Sequence, residues 1–196
     1  MKNILIINAN PNSNSLSFEI EREYIKGAQT YCSSIETLHL NDLQFDLNLS
    51  GGFKSTQSLE SDLILAQEKI QNADHIVWIF PIWWGSFPAL LKGFIDRTFL
   101  PGFAFKYREN SPMWDKLLIG KTSEIICTMD SPTLYYKYLL GESGVKVFRK
   151  SILGFCGIKV VKTTYFSMVR KANDEKIKTW LNQANAIGFK RAKSLI

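Results

Sequence analysis

Cysteine and histidine are scarce in this 196-residue chain, which contains three cysteines and two histidines. Cys32, Cys127 and Cys156 lie far apart, and the chain has no C-x-x-C pair. An odd number of cysteines at irregular spacing is not typical of a disulfide framework, and zinc sites need ligands paired at short spacing. The sequence therefore predicts neither disulfides nor a metal site.

Long hydrophobic runs are also absent. Apolar stretches such as 76–80 are short, whereas a membrane-spanning helix needs about 20 apolar residues. Residues 1–7 carry one lysine, and no small-residue cleavage site follows them, so they predict a strand and not a signal peptide. We expect a single domain over residues 1–196 in the cytoplasm, with no direct membrane insertion.

The chain has no strong block of one charge, although its net charge is +6. Basic residues are spread along the sequence and become denser only at 146–150 and 190–193. Short clusters of this kind are typical of solvated helix faces. We therefore expect no nucleic-acid partner, while a mild positive field would favour small anionic ligands.

Apolar strand-like runs alternate with helical patterns along the whole chain. The predicted strands are Asn3 to Asn8, Ile35 to Leu40, His75 to Phe80, Thr122 to Thr128 and Lys159 to Tyr165. The predicted helices are Ser17 to Tyr31, Leu59 to Asn72, Phe87 to Phe99, a segment from about Tyr135 to Cys156, and Asp174 to Leu195. This alternation predicts an α/β fold, a flavodoxin-like three-layer α-β-α sandwich whose five-stranded parallel sheet has the order 2-1-3-4-5.

The first candidate binding segment follows the first strand, because ligands of such sheets bind beyond the carboxyl ends of the strands. Residues 9–17 are short and polar, include Asn10 and Ser15, and lead directly into a helix. Free N–H groups and the helix dipole at that point predict an anion site, which a flavin phosphate or pyrophosphate would fit. The alternative is an ordinary capped turn, since Asn, Ser and Pro are turn residues in any case.

The second candidate segment is the turn after the third strand, Pro81-Ile82-Trp83-Trp84-Gly85. Two adjacent tryptophans in a tight turn cannot both point into one core, so at least one should line a surface or cleft. A flat isoalloxazine ring suits such a wall, and the N–H groups of Ile82 to Gly85 could donate to its N1, O2 and N5 atoms. The alternative is that both rings cover an exposed sheet end or a dimer contact.

The segment that begins with this turn resembles the NAD(P)H:quinone oxidoreductase family. The resemblance is carried by residues 81–97 and by Gly102-Phe103-Ala104-Phe105, which follow the family pattern P-x-x-W…P-A-x-L-K-G-[WF]-x-[DE]-R. Residues 128–132, Tyr135-Tyr136 and residues 155–158 match further. The chain looks most like the small bacterial branch, which includes quinone reductases and ancillary subunits of potassium efflux systems.

This resemblance implies a cofactor, a donor and a set of contacts. The cofactor is FAD, with FMN as the alternative, and NAD(P)H is the hydride donor. The implied cofactor-binding residues are Asn10, Ser15, Leu16, Ser17 and Phe18 at the phosphate, and Pro81, Ile82, Trp83, Trp84, Gly85, Thr128, Met129 and Asp130 at the ring. The family also implies a homodimer, in which Phe103 and Phe105 reach toward the partner subunit's substrate pocket.

The implied reaction is two-electron, ping-pong hydride transfer to quinones or similarly flat acceptors. Larger animal relatives have a Gly-Gly pair where this chain has Met129 and Asp130, and a relay of one tyrosine and one histidine. Tyr135 or Tyr136 could take the tyrosine's catalytic role, but no histidine lies near that edge of the predicted sheet. A one-electron carrier and a regulatory subunit of a potassium efflux transporter stay open as alternatives.

Overall fold

A five-stranded parallel sheet forms the centre of the computed structural model, which describes residues 2–32, 34–52 and 57–195. Its strands are β1 (Asn3–Asn8), β2 (Ser34–His39), β3 (His75–Pro81), β6 (Thr122–Met129) and β7 (Lys159–Ser167). Two short strands, β4 (Phe105–Tyr107) and β5 (Trp114–Lys116), pair antiparallel in a separate hairpin. The order across the main sheet is β2-β1-β3-β6-β7.

Within the described ranges, five α-helices lie between these strands and a sixth follows β7. They are α1 (Leu16–Ala28), α2 (Ser61–Asn72), α3 (Ala89–Thr98), α4 (Ser143–Lys146), α5 (Gly154–Cys156) and α6 (Asp174–Ser194). Two π-helical stretches, Tyr135–Leu139 and Val147–Leu153, interrupt the single helix that the sequence predicted from Tyr135 to Cys156. In the part of the chain that the structure describes, no helix meets the length and apolarity needed to cross a bilayer.

The predicted α/β fold and its five parallel strands are confirmed, whereas the predicted order 2-1-3-4-5 needs correction. The sequence analysis placed no strand between the third and fourth strands of the main sheet, but residues 101–120 contain the β4–β5 hairpin, so the last two strands of the main sheet are the sixth and seventh of the chain. Three-residue strands carry too little periodicity to be recognised in a sequence.

The sheet is buried on both faces by two separate cores. Leu5 and Ile7 of β1 pack into one core, and Ile4 and Ile6, which alternate with them, pack into the other. Because side chains alternate along a strand, a run of isoleucine and leucine is what a doubly covered strand requires. The strand ends alone remain for polar chemistry, and β1, β3 and β6 end side by side at the carboxyl edge.

Helices α1 and α6 pack closely on the second core because each presents a glycine to the other. A Cβ atom at Gly188 would lie 2.1 Å from the carbonyl oxygen of Tyr24, and one at Gly27 would lie 2.0 Å from the carbonyl oxygen of Asn185. A Cβ atom this close to backbone atoms would force the two helices apart.

We therefore expect Gly188→Ala to lower the free energy of unfolding by about 1–3 kcal/mol, the usual cost of overpacking. The direction of the change is informative, because replacing glycine with alanine inside a helix without such contacts raises the free energy of unfolding by about 1 kcal/mol. Urea denaturation followed by circular dichroism measures the difference, with the exposed Asn182→Ala in the same helix as control. An unchanged or raised stability of Gly188→Ala would contradict this account of the helix contact.

Candidate functional site

The loop between β1 and α1 is shaped by asparagines spaced two residues apart. The Asn8 side-chain oxygen accepts from the N–H of Asn10 (3.1 Å), that of Asn10 from Asn12 (3.0 Å), and that of Asn12 from Asn14 (3.0 Å). Each is an Asx turn, in which a side chain replaces a backbone acceptor. These three N–H groups, which the sequence left free for a ligand, are therefore engaged within the loop.

Donors remain at the first turn of α1. The N–H groups of Leu16 and Ser17 have no acceptor among the described residues, as is usual at a helix N-terminus. The Ser15 hydroxyl oxygen is buried and likewise lacks a partner among those residues, although Ser15 occupies the N-cap position. A buried hydroxyl without a partner is costly, so an anion bound here would satisfy it.

A buried carboxylate that the sequence analysis missed lies beneath this loop. Glu21 accepts a 2.7 Å hydrogen bond from the Asn8 amide and makes a second 2.7 Å contact with Nε2 of His39. The hydrogen bond to Glu21 raises the pKa of His39 above its usual 6.5. A signal was present in the sequence, because Glu21 lies between Ile20 and Tyr24 on the buried face of α1.

The loops after β1, β3 and β6 enclose a first cavity of about 180 Å³. The Asn10 amide donates to the Ser17 hydroxyl (3.1 Å), which lies 3.5 Å from the hydroxyl of Thr128 and so joins two of the loops. The cavity is lined by Asn10, Ser15, Leu16, Ser17, Pro81, Ile82, Trp83, Thr128, Met129, Asp130 and Val169. All of these except Val169 were predicted cofactor contacts.

Phe18 does not line this cavity. Its ring packs edge-on against His39 with the centroids 4.9 Å apart, and its N–H donates to the carbonyl of Ser15. Phe18 therefore supports the loop from behind, and its predicted contact with the phosphate stays a prediction.

The double-tryptophan turn is a two-residue hairpin. Trp83 and Ser86 exchange two backbone hydrogen bonds of 2.8 Å, and the residues between them, Trp84 and Gly85, have positive φ angles of 51° and 75°. Positive φ at both central positions is typical of a type I′ turn. The Ile82 N–H donates to the carbonyl of Thr128 (2.8 Å), so only the Trp84 and Gly85 N–H groups of this turn lack an acceptor among the described residues.

The two tryptophans line different cavities. The sequence predicted that at least one of them would line a surface or cleft. Trp83 is half-exposed and lines the first cavity, whereas Trp84 is fully exposed beside a second cavity of about 480 Å³. The second cavity is lined by Ile82, Trp84, Gly85, Ser131, Tyr135, Tyr136, Leu140 and Ser143. Ile82 lines both cavities, so they adjoin each other.

Tyr136 and Gly144 brace the turn from behind. The Tyr136 hydroxyl donates to the Gly85 carbonyl (3.2 Å) and accepts from the Val145 N–H (3.3 Å), while the Gly144 N–H donates to the same carbonyl (3.2 Å). A Cβ atom at Gly144 would lie 2.5 Å from the Cα of Ser86, so only glycine permits this approach.

The two predicted catalytic tyrosines therefore have different positions. Tyr136 is buried, and burial raises the pKa of its hydroxyl to about 12, so this group holds the turn with its proton in place. Tyr135 is half-exposed at the second cavity and is the tyrosine that a ligand can reach.

Asp130 is exposed and tied to the loop after β7. Its Oδ1 accepts from the Arg170 N–H (2.8 Å), and its Oδ2 lies 3.2 Å from the Arg170 guanidinium. The loop that carries Val169 and Arg170 was not predicted to take part in the site. Its contribution depends on the fifth strand of the sheet returning beside β6, which local sequence does not reveal.

Phe103 and Phe105, the two predicted substrate-pocket aromatics, lie against other rings of their own chain. Phe105 is buried, with its ring centroid 5.0 Å from that of Phe155, and Phe103 is half-buried with its ring 6.3 Å from that of Phe99. Both pack on their own chain, because the β4–β5 hairpin folds back onto the first core. The expectation that they reach a partner subunit's substrate pocket stays a prediction.

Comparison with known proteins agrees with this geometry. A family model described as a flavodoxin-like fold matches residues 2–187. The crystal structure of Smu.1420 from Streptococcus mutans UA159 superimposes with a TM-score of 0.77 and 31% identity, and the match covers 97% of this chain and 100% of that one.

Two curated relatives carry functional names. Ribosyldihydronicotinamide dehydrogenase [quinone] of Rattus norvegicus is 34% identical over 113 residues, which are 54% of this chain and 46% of that protein. An uncharacterized NAD(P)H oxidoreductase of Haemophilus influenzae is 26% identical over 189 residues, 93% of this chain and 92% of that protein. The chain thus spans about half the length of the rat relative. The resemblance that the motifs indicated is confirmed.

The network around Glu21 gives a pH-dependent prediction. We expect Glu21→Gln to lower the free energy of unfolding by about 1–3 kcal/mol, because a glutamine can accept from only one of Asn8 and His39 and presents an NH₂ group to the other. The stabilisation from a raised histidine pKa is complete below 6.5 and is lost as pH rises through the raised value. The variant should therefore lose more stability at about pH 6 than at about pH 9.

Chemical denaturation at the two pH values measures this difference. The matched control is Glu68→Gln, which alters an exposed glutamate of α2. Equal losses at both pH values, or a loss no larger than that of the control, would show that Glu21 and His39 are not coupled.

Proposed function

The chain belongs to the flavodoxin-like fold family, and from this membership we propose that it is a flavin-dependent NAD(P)H oxidoreductase that reduces quinones or similarly flat acceptors. The observation that carries the proposal is the pair of adjoining cavities at the carboxyl edge of the sheet. One contains the unpartnered hydroxyl of Ser15 beside a helix N-terminus, and the other is walled by the exposed indole of Trp84.

The residues present fit a flavin. A phosphate has donors in the Leu16 and Ser17 N–H groups and the Ser15 hydroxyl, and the dipole of α1 favours its negative charge. The flat faces of Trp83 and Trp84 suit an aromatic ring system, and the N–H groups of Trp84 and Gly85 are available to its polar edge. We propose FAD as the cofactor because of the family resemblance, with FMN as the alternative.

A flavin held by these residues would supply two-electron redox chemistry, with NAD(P)H as the hydride donor in one half-reaction and the acceptor, which gains two electrons and two protons, in a second. The protein supplies position and field. Trp84 and Tyr135 line the second cavity and align one planar reactant at a time. The Trp84 and Gly85 N–H groups favour negative charge at the turn, and the Tyr135 hydroxyl can donate a hydrogen bond to an acceptor oxygen.

We also propose a homodimer in the cytoplasm. Trp84 lines the second cavity, and Leu134 and Leu139 are next in the chain to its lining residues Tyr135 and Leu140; all three are large apolar side chains with exposed fractions of at least 70%. Apolar groups gathered at one place on a surface are typical of an interaction site, and a second copy of the chain would cover them. The three cysteines are free and buried, which suits a reducing compartment.

The function is tested by the visible spectrum of the purified protein. We expect the absorption of an oxidised flavin, its loss when NADH or NADPH is added without oxygen, and its return when a quinone follows. The mass of the released cofactor distinguishes FAD from FMN. A colourless protein that cannot be reconstituted with either flavin would overturn the proposal.

The turn is tested by Trp84→Ala. We expect the variant to retain flavin roughly tenfold more weakly and to turn over more slowly, because an aromatic stacking contact contributes about 0.5–1.5 kcal/mol beyond the area it buries. Fluorescence titration with flavin and steady-state quinone reduction measure both effects. Tyr107→Ala removes an exposed aromatic ring of β4 that lines neither cavity and serves as control. Equal flavin affinity in the two variants would count against the placement at Trp84.

The dimer is tested by light scattering. The expected mass is about twice that of the 22.4 kDa chain. Leu139→Glu, a charge within the apolar surface, should shift the mass toward that of one chain, whereas the exposed Ile64→Glu on α2 should not. A monomeric wild-type protein at assay concentration would exclude the proposed assembly.

A further inference from the structure

A third cavity, of about 530 Å³, lies outside the candidate site at the β7 edge of the sheet. Three separate parts of the chain form its walls: the π-helical stretch Tyr135–Leu139, the helical turns that follow residue 141, and the edge strand β7. The charged groups at this cavity are Lys137, Lys146, Arg149, Lys162 and Glu142. Positive charge thus exceeds negative charge by three in the lining of one cavity.

The one carboxylate does not neutralise the lysines. Glu142 accepts a hydrogen bond from the Tyr165 hydroxyl, and its other oxygen lies 4.0 Å from the Arg149 guanidinium. Lys146 and Lys162 form no ion pair with any carboxylate of the described residues, and Lys137 lies over the Tyr165 ring at 5.0 Å. The surplus of positive charge is therefore available to a ligand.

Protection of the sheet edge explains only part of this arrangement. Lysines on an edge strand discourage the addition of a further strand, which accounts for Lys162. It does not account for Lys137, Lys146 and Arg149, which come from helical segments and lie around the same cavity. Cations that converge from separate elements raise the local positive potential and attract an anion.

We propose that this cavity binds the phosphate group of a small molecule. Arginine matches the oxygens of a phosphate with two parallel donors, and the lysines add point charges around it. Tyr138, whose ring is 79% exposed, also lines the cavity and offers an aromatic face beside the phosphate position. A phosphorylated nucleotide would use both features.

The cavity shares a wall with the candidate site. Tyr135, Tyr136 and Leu140 face the second cavity, while Lys137, Tyr138 and Glu142 of the same segment face the third. The rings of Tyr136 and Tyr165 meet across this wall with centroids 5.8 Å apart. The phosphate therefore has two possible sources, the hydride donor itself or a separate effector, and only the first rests on the function proposed above.

The test uses the double variant Lys146→Ala with Lys162→Ala, both of which alter exposed side chains. Its control is Lys178→Ala with Lys190→Ala, which removes the same charge from exposed positions of α6. Calorimetric titration of the full chain at low salt uses inorganic pyrophosphate and adenosine 2′,5′-bisphosphate as probes. We expect the wild-type protein and the control to bind alike and the cavity variant to bind roughly tenfold more weakly.

Steady-state kinetics distinguish the two sources. A raised KM for NADPH but not for NADH in the cavity variant assigns the site to the hydride donor's phosphate, whereas unchanged KM values with lost pyrophosphate binding assign it to an effector. Absent probe binding to the wild type, or equal weakening in both variants, would overturn the proposal. Because calorimetry needs no turnover, its result stands even if the oxidoreductase function fails.

Discussion

Burial of the central sheet on both faces is the constraint on which the site depends. Two cores cover the alternating side chains of β1, β3 and β6, so most of the buried side chains along these strands are apolar. The parallel arrangement brings three strand ends together at one edge. The Ile82 N–H extends the pairing of β3 with β6 by one more hydrogen bond, to Thr128, and so fixes the distance between two of the loops that form the first cavity.

Two buried hydrogen-bond networks then hold those loops in shape. Glu21 fixes Asn8, whose side chain orders the loop before α1, and Tyr136 with Gly144 fixes the Gly85 carbonyl behind the double-tryptophan turn. The loops that they support carry donors with no acceptor in the described part of the chain: the Leu16 and Ser17 N–H groups in one, and the Trp84 and Gly85 N–H groups in the other. Rigid support of this kind lowers the cost of ordering a site when a ligand binds.

The sequence was sufficient to predict features that depend on residues close together in the chain. Continuous apolar runs predicted β1, β3 and β6, and the loop positions followed from the strand ends, so ten of the residues around the first cavity were named beforehand. It was insufficient to predict contacts between residues that are far apart in the chain. Nothing near Asp130 indicates that Arg170 will bind it, and the close approach of Gly144 to Ser86 joins residues more than fifty positions apart. Aromatic composition likewise did not indicate that the β4–β5 hairpin folds back, so that the Phe105 ring packs against Phe155.

At two points of this site, adjacent aromatic residues face different surroundings. Trp83 closes the first cavity while Trp84 faces the second, and Tyr136 is buried behind the turn while Tyr135 is open to ligand. In the turn, the two tryptophan side chains point differently because of the positive φ at Trp84, which rotates its side chain away from that of Trp83. In the π-helical stretch, the two tyrosines differ because one residue faces the core and the next faces out. Because the two rings of each pair are neighbours in the chain but face different surroundings, the two cavities keep a fixed relation, which the proposed transfer between two bound molecules requires.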